Sequence, residues 1–141
     1  MKRIAALTIL VWIFSLPAAA ADSNIEIMSF EDPGSGVASY QVKQSQFDTL
    51  PRWNDKKGDP PLSQRKAVDS AVAELKRRNL SIDALVLQSV SLKRIKEAPD
   101  GHWFYGITFA PATGGISKPF WKTMVLVLMD GTVVNPVVSV Q

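Results

Sequence analysis

The sequence predicts an α+β fold, with one helix packed on a four-stranded antiparallel meander and an additional β-hairpin at the N-terminal end. Three observations predict it. Only one segment, Gln64 to Arg78, carries apolar residues at spacings of three and four; from Leu85 onward the apolar period is two; and the connectors between the later apolar runs are made of turn-forming residues.

The first 21 residues read as a secretory leader. Lys2 and Arg3 supply a positive end, Ile4 to Leu16 a 13-residue apolar stretch, and Pro17 with a run of alanines the small-residue exit. A bilayer span needs about 20 apolar residues, so a permanent membrane anchor is not expected. Ala21/Asp22 is the expected cleavage bond and Ala20/Ala21 the second choice. Export to the periplasm or the medium follows. Lys2 and Arg3 account for two of the 16 basic residues, so 14 remain against 13 acidic ones. A chain this close to neutral gives no reason to expect a nucleic-acid partner, which calls for a clustered basic face. With no cysteine, the 120 residues after the leader have neither disulfide nor thiol chemistry, and a single core must hold them. Residues 22–62 supply strands and a long loop, residues 63–141 the helix and sheet, and together they form one domain.

Asn24 to Phe30 and Val37 to Val42 alternate as short strands. Asp32-Pro33-Gly34-Ser35-Gly36 between them supplies the turn. From Gln44 to Leu62 no period survives, and Asn54-Asp55-Lys56-Lys57-Gly58-Asp59 before Pro60-Pro61 marks an exposed connection, pinned to the body by Phe47, Leu50 and Trp53. Ser63 is the expected N-cap of the helix. Ala67, Val68, Ala71, Val72 and Leu75 form its buried stripe; Lys76, Arg77 and Arg78 suit its negative end, and Asn79 suits a left-handed exit. Asn79-Leu80-Ser81 is also a glycosylation acceptor pattern, relevant only to a eukaryotic secretory route.

Four strands follow, Leu85 to Ile95, Trp103 to Ala110, Phe120 to Met129 and Thr132 to Val140. Their connectors are Ala98-Pro99-Asp100-Gly101, Ala110 to Pro119 and Asp130-Gly131. Pro136 lacks a donor N–H and places the last strand at an edge. The third strand is apolar on both faces, Phe120, Met124, Leu126 and Leu128 on one, Trp121, Val125, Val127 and Met129 on the other. It should therefore be central and covered twice. The helix covers one face, with close approach expected at Gly106. The other, displaying Trp103, Tyr105, Ile107 and Phe109 on the neighbouring strand, is expected to lie under residues 22–53 or to form a partner surface.

Residue constellations for catalysis are missing from this pattern. His102, the only histidine, stands beside a turn and reads as a surface residue; Gly34-Ser35-Gly36 is shorter than a nucleophile elbow. Asp55 with Asp59 and Glu31 with Asp32 lack the ligand density of a calcium loop. Gly114-Gly115 precedes no Lys-Ser or Lys-Thr. An enzyme, a cofactor and a metal are therefore not expected. Trp53, Trp103, Tyr105, Phe109, Phe120 and Trp121 are the candidate ligand or partner surface, because aromatic rings on adjacent strands can stack a sugar, a base or a peptide side chain; the same residues also suit a sheet core.

The order of helix and strands, with Leu126-Val127-Leu128-Met129-Asp130-Gly131-Thr132-Val133-Val134 near the end, resembles the PepSY and cystatin-like class of small exported domains across about Pro60 to Val140. Pro60-Pro61-Leu62-Ser63-Gln64-Arg65-Lys66-Ala67 resembles the helix start of small exported bacterial proteins. The PepSY resemblance implies inhibition or modulation of proteases and binding in the cell envelope. The expectation is a non-catalytic exported binding or modulator module, recognising a protein or peptide by strand addition, or pairing with itself as a homodimer. The alternative is a small-ligand carrier with a pocket between helix and sheet. Intact-mass spectrometry of protein from the native host is expected to give a chain starting at Asp22 or Ala21; Met1 retained in a membrane fraction would overturn the leader.

Overall fold

The computed structural model describes residues 22–96, 101–115 and 119–139. The leader with Ala21, the connector residues 97–100 and 116–118, and Val140 with Gln141 lie outside the described residues. The chain is α+β, and the described residues form two antiparallel sheets and two α-helices. Strands β1 (Asn24–Asp32), β2 (Gly36–Lys43) and β7 (Pro136–Ser139) form one sheet in the order β1-β2-β7. Strands β3 (Leu85–Arg94), β4 (Trp103–Pro111), β5 (Met124–Leu128) and β6 (Val133–Val134) form the other as a meander. Helices α1 (Gln44–Thr49) and α2 (Gln64–Arg77) complete the fold.

The N-terminal hairpin closes where Ser35 N–H donates to Asp32 C=O at 2.8 Å, and Gly34 and Gly36 take positive φ, 84° and 97°. A bulge in β1 leaves Ile27 without an opposite partner, between Glu26↔Gln41 and Met28↔Tyr40. Two consecutive side chains, Ile27 and Met28, thereby reach the same core. Helix α1 falls where the sequence shows no period. Its free N-terminal donors are met from a distance: the Asp22 carboxylate accepts from Ser45 N–H at 3.1 Å and Gln44 N–H donates to Ser23 C=O at 2.7 Å. Nothing local encodes that cap.

Helix α2 begins as expected, with Ser63 Oγ accepting from Lys66 N–H at 3.4 Å. It ends one residue earlier than expected, and Asn79 takes φ 58° while Leu80 N–H donates back to Leu75 C=O. Ala67, Ala71 and Leu75 are buried against Tyr105, Ile107, Phe109, Val125 and Val127. On the opposite face Phe104, Met124, Leu126 and Leu128 pack against Ile27, Tyr40, Val42 and Phe47. The order of layers is small sheet, large sheet, helix. Every residue of β5 is buried, as its doubly apolar pattern requires.

Three expectations are corrected. The face bearing Tyr105, Ile107 and Phe109 meets α2, and the hairpin covers the other; a Cβ on Gly106 would approach Ser91 Oγ at 3.0 Å and Met124 on the hairpin side, so this glycine is not where the helix approaches. Small helix residues bring the helix close enough for the large ring side chains to fill the space between. The third strand starts at Met124, because Phe120–Lys122 forms a 3-10 turn after Pro119, its first N–H donating to Asp32 Oδ2 at 2.9 Å. The fourth strand is split at Asn135: β6 stays beside β5, while β7 crosses to pair with β2, Pro136 facing Tyr40. β7 is indeed an edge, but of the small sheet.

Arg78 ties this crossing to the helix. Its guanidinium donates to Glu74 Oε1 at 2.9 Å, to Asn135 Oδ1 at 3.0 Å and, at 3.4 Å each, to the carbonyls of Lys122 and Met124. Arg77, largely exposed, adds a two-point contact to the same carboxylate. Hydrogen bonding from Arg77 and then Arg78 outweighs burial and holds the Glu74 carboxyl below its ordinary value. Tyr40, fully buried behind the crossing, has its phenol pushed up to about 12 by burial, against an opposing contribution from Arg78.

These shifts set opposite ends of a pH profile. A carboxyl lowered in the folded state stabilises above its unfolded value of 4.5 and loses that contribution as pH falls through the folded value; a phenol raised from 10 to about 12 stabilises below 10 and loses it between 10 and 12. Glu74→Gln is expected to flatten the acid limb of a thermal-melting pH series and cost about 1–3 kcal/mol at neutral pH, and Tyr40→Phe to flatten the alkaline limb alone.

Candidate functional site

The rim of the large sheet at the end of β3 is the part of the molecule best furnished for recognition. Among the described residues, strand β3 has β4 on one side and no strand on the other. Edge strands expose unpaired N–H and C=O groups, and ten residues is long for such an edge. At one end Val86 and Leu87 are 50% and 47% exposed. Hydrogen bonding from Ile95 N–H to His102 C=O sets the ladder phase, so the N–H groups of Val90, Leu92 and Arg94 point away from β4.

Two clefts flank the other end. The first, about 510 Å³, is lined by Arg52, Trp53, Asn54, Asp55, Lys56, Arg94, Gly101 and Trp103. Its floor is a clamp between the long loop and β4: Trp53 N–H donates to Gly101 C=O at 2.8 Å, and Trp103 Nε1 donates to Trp53 C=O at 3.0 Å. Gly101, at φ 97°, admits this approach, since a Cβ there would meet Trp53 C=O at 3.3 Å. The two indoles meet edge to face with centroids 5.1 Å apart. Trp53 Nε1 donates to Gly58 C=O at 3.1 Å, so both indole N–H groups are satisfied internally and the rings offer apolar faces to a ligand.

The second cleft, about 390 Å³, runs between two open strand edges and is lined by Glu26, Ile27, Met28 and Ser29 of β1 and by Lys93, Arg94, Lys96 and Phe104. Arg94 lines both clefts. Arg52, Lys56, Lys93 and Lys96 form no ion pair among the described residues. Glu26, on the far wall, accepts from Ser29 Oγ at 2.7 Å and Ser39 Oγ at 2.8 Å, and these bonds keep its carboxyl below the ordinary value.

The six aromatic candidates are dispersed. Trp53 and Trp103 meet in the first cleft. Tyr105 and Phe109 are buried under α2, with Tyr105 Oη donating to Leu62 C=O at 2.9 Å. Phe120 packs edge to face on Phe30 at 5.6 Å, and Trp121 follows it in the 3-10 turn. No single platform joins them. His102, expected at the surface, is buried, its ring 4.4 Å from that of Phe47, because α1, which the sequence does not announce, brings Phe47 onto it. Asp22, beside the expected cleavage bond, caps α1, and Ala21 lies outside the described residues.

Sequence reasoning passed over Arg52, Lys56 and Arg94. Lys56 falls in the stretch Asn54 to Asp59 that reads as an exposed connection, and Arg94 falls near the end of the predicted strand Leu85 to Ile95. The signal that could have joined them is a tryptophan bordered by cations in the loop and a second tryptophan opposite Arg94, yet 50 residues separate the two indoles. Among the described residues no three His, Cys, Asp or Glu side chains converge as a metal site, and no helix is long and apolar enough to cross a membrane. Comparison with protein-family models, with curated proteins and with solved structures finds no match.

Trp103→Phe keeps an aromatic ring, though a smaller one, and removes the donor to Trp53. Exchange of the Trp53 amide is expected to accelerate while global stability falls by only about 1 kcal/mol. Unchanged exchange at Trp53 would show that the indole bond does not hold the loop.

Proposed function

We propose that this protein is an exported, non-catalytic binding module of the cell envelope that takes an extended protein or peptide segment onto the free edge of β3. The observation that carries the reading is the ten-residue open edge with two half-exposed apolar residues, Val86 and Leu87, at one end. Backbone pairing supplies affinity in strand addition, and side-chain pockets flanking the edge supply selectivity. The clefts bordering β3 fill that second role. The middle of the interface between α2 and the large sheet is filled by side chains of the helix and by Tyr105, Ile107, Phe109, Val125 and Val127, so a small-ligand carrier would have to use the cleft of about 440 Å³ at the helix start, lined by Ser63, Gln64, Val90, Leu92 and Tyr105. A protease-modulating role of the PepSY kind is compatible with strand addition, since proteases also take their ligands as extended chains. Dimerisation would use the same edge.

Peptides selected from a random β-prone library are expected to shift the amide resonances of residues 85–94. Val86→Lys combined with Leu87→Lys should weaken them about tenfold at unchanged melting temperature. Light scattering on the same variant reads self-pairing. Stabilisation by a sugar or lipid that leaves the β3 amides unmoved would instead support the carrier.

A further inference from the structure

The geometry points to an acidic extended peptide as the occupant of the β3 edge, with successive carboxylates alternating between the two clefts that flank Lys93 to Lys96. This rests on the edge-binding reading above and adds the chemistry of the partner.

The argument starts from the pleat. Successive side chains of a strand point to opposite faces, and a strand added to an edge continues the same alternation. Lys93 lies opposite Phe104, whose ring belongs to the core on the hairpin side; Arg94 lies opposite Trp103, which packs with the core on the helix side. The two clefts therefore lie on opposite faces of the large sheet, and the end of β3 separates them. A strand pairing there places one side chain over Arg52, Lys56 and Arg94, and the next over Lys93 and Lys96. Cations meet it on both faces.

The balance of charge selects the partner. Beside Arg94, the cationic side chains of Arg52, Lys56, Lys93 and Lys96 line the two clefts, against the carboxylates of Asp55 and Glu26 among the described residues. Arg52, Lys56, Lys93 and Lys96 are not engaged in ion pairs among the described residues, so a ligand carboxylate does not compete with an internal one at these four. A basic or uncharged strand would leave this excess unneutralised. Each exposed pair contributes only about two- to fivefold in affinity, and several together exceed tenfold.

Two features favour a peptide over another polyanion. The outward N–H groups of Val90 and Leu92 present donors at the repeat of a neighbouring strand, which a peptide backbone matches and a sugar acid does not. The rings of Trp53 and Trp103, their N–H groups already used, offer apolar faces suited to the methylenes of glutamate or an adjoining apolar residue.

The test uses the full mature chain and three fluorescent peptides about 12 residues long, near the length of β3, in which pairs of threonines alternate with pairs of glutamates, glutamines or lysines, so that the variable residues fall on both faces of the added strand. Polygalacturonate and phosphatidylglycerol vesicles serve as non-peptide polyanions. The glutamate peptide is expected to bind at least about tenfold tighter than the glutamine peptide at low ionic strength, with most of the difference lost at about 0.5 M salt. Arg52→Glu with Lys56→Glu, and separately Lys93→Glu with Lys96→Glu, should each remove part of that preference without changing glutamine-peptide affinity. Should a charge-reversed pair fail to fold, the peptide comparison and salt series on the unaltered chain still decide. Equal affinity for glutamate and glutamine peptides overturns the acidic partner and leaves edge binding standing. Binding of polygalacturonate or the vesicles in preference to the glutamate peptide overturns it in favour of another polyanion. Failure of every peptide to bind overturns edge binding itself, and the acidic partner with it.

Discussion

The structure depends on giving β5 two covers. Met124, Val125, Leu126, Val127 and Leu128 are all buried, and fully burying such side chains contributes roughly 1.5–3 kcal/mol each. Their combined contribution is on the order of 10 kcal/mol, comparable with the entire net stability of a domain this size. No single layer can supply it. α2 takes the Val125 and Val127 side and the hairpin of β1 and β2 takes the Met124, Leu126 and Leu128 side, so β5 is covered on both faces by segments that precede it by 47 residues or more, from Arg77 to Met124.

Joining three layers creates a seam, and the side chains of Glu74, Arg78 and Asp32 close it. β7 leaves the large sheet at Asn135 and enters the small one at Pro136, which needs no donor N–H at the crossing. Carbonyls and an amide left by the crossing would be costly without donors, and Arg78 reaches them from the end of α2 while Glu74 balances its charge. Asp32 performs the corresponding task at the other end of the hairpin by accepting from Phe120 N–H. Tyr40 is enclosed between these anchors, which explains both its full burial and its raised phenol.

The same layering decides where recognition can occur. With both faces of β4 and β5 covered, ligand access to the large sheet is confined to its rim, and β6 at one border is two residues long. β3 is the long free border. Its bulge between Leu87 and Ser89 separates an apolar end at Val86 and Leu87 from a cationic end at Lys93 to Lys96, so one edge carries two kinds of selectivity. The long loop is held over the cationic end by backbone and indole hydrogen bonds rather than by a buried core of its own, which places Arg52 and Lys56 beside Arg94.

Local chemistry determined much of the fold. Ser63 and the small-residue stripe specify α2, Asn79 its left-handed exit, the glycines around Ser35 the hairpin, and Asp130-Gly131 the turn after β5, because each depends on residues within a few positions. Period-two alternation also determined that β5 needs cover on both faces. Which cover goes where was decided only by tertiary structure, since alternation names two faces without saying which partner each meets. α1 was illegible because its cap comes from Asp22, and His102 was misplaced because the helix that buries it was itself hidden. The site is long-range in the same sense: Trp53 and Trp103 are ordinary residues of a loop and a strand until a glycine lets their backbones meet, and the cations around them become one surface only when two sheet edges and a loop converge.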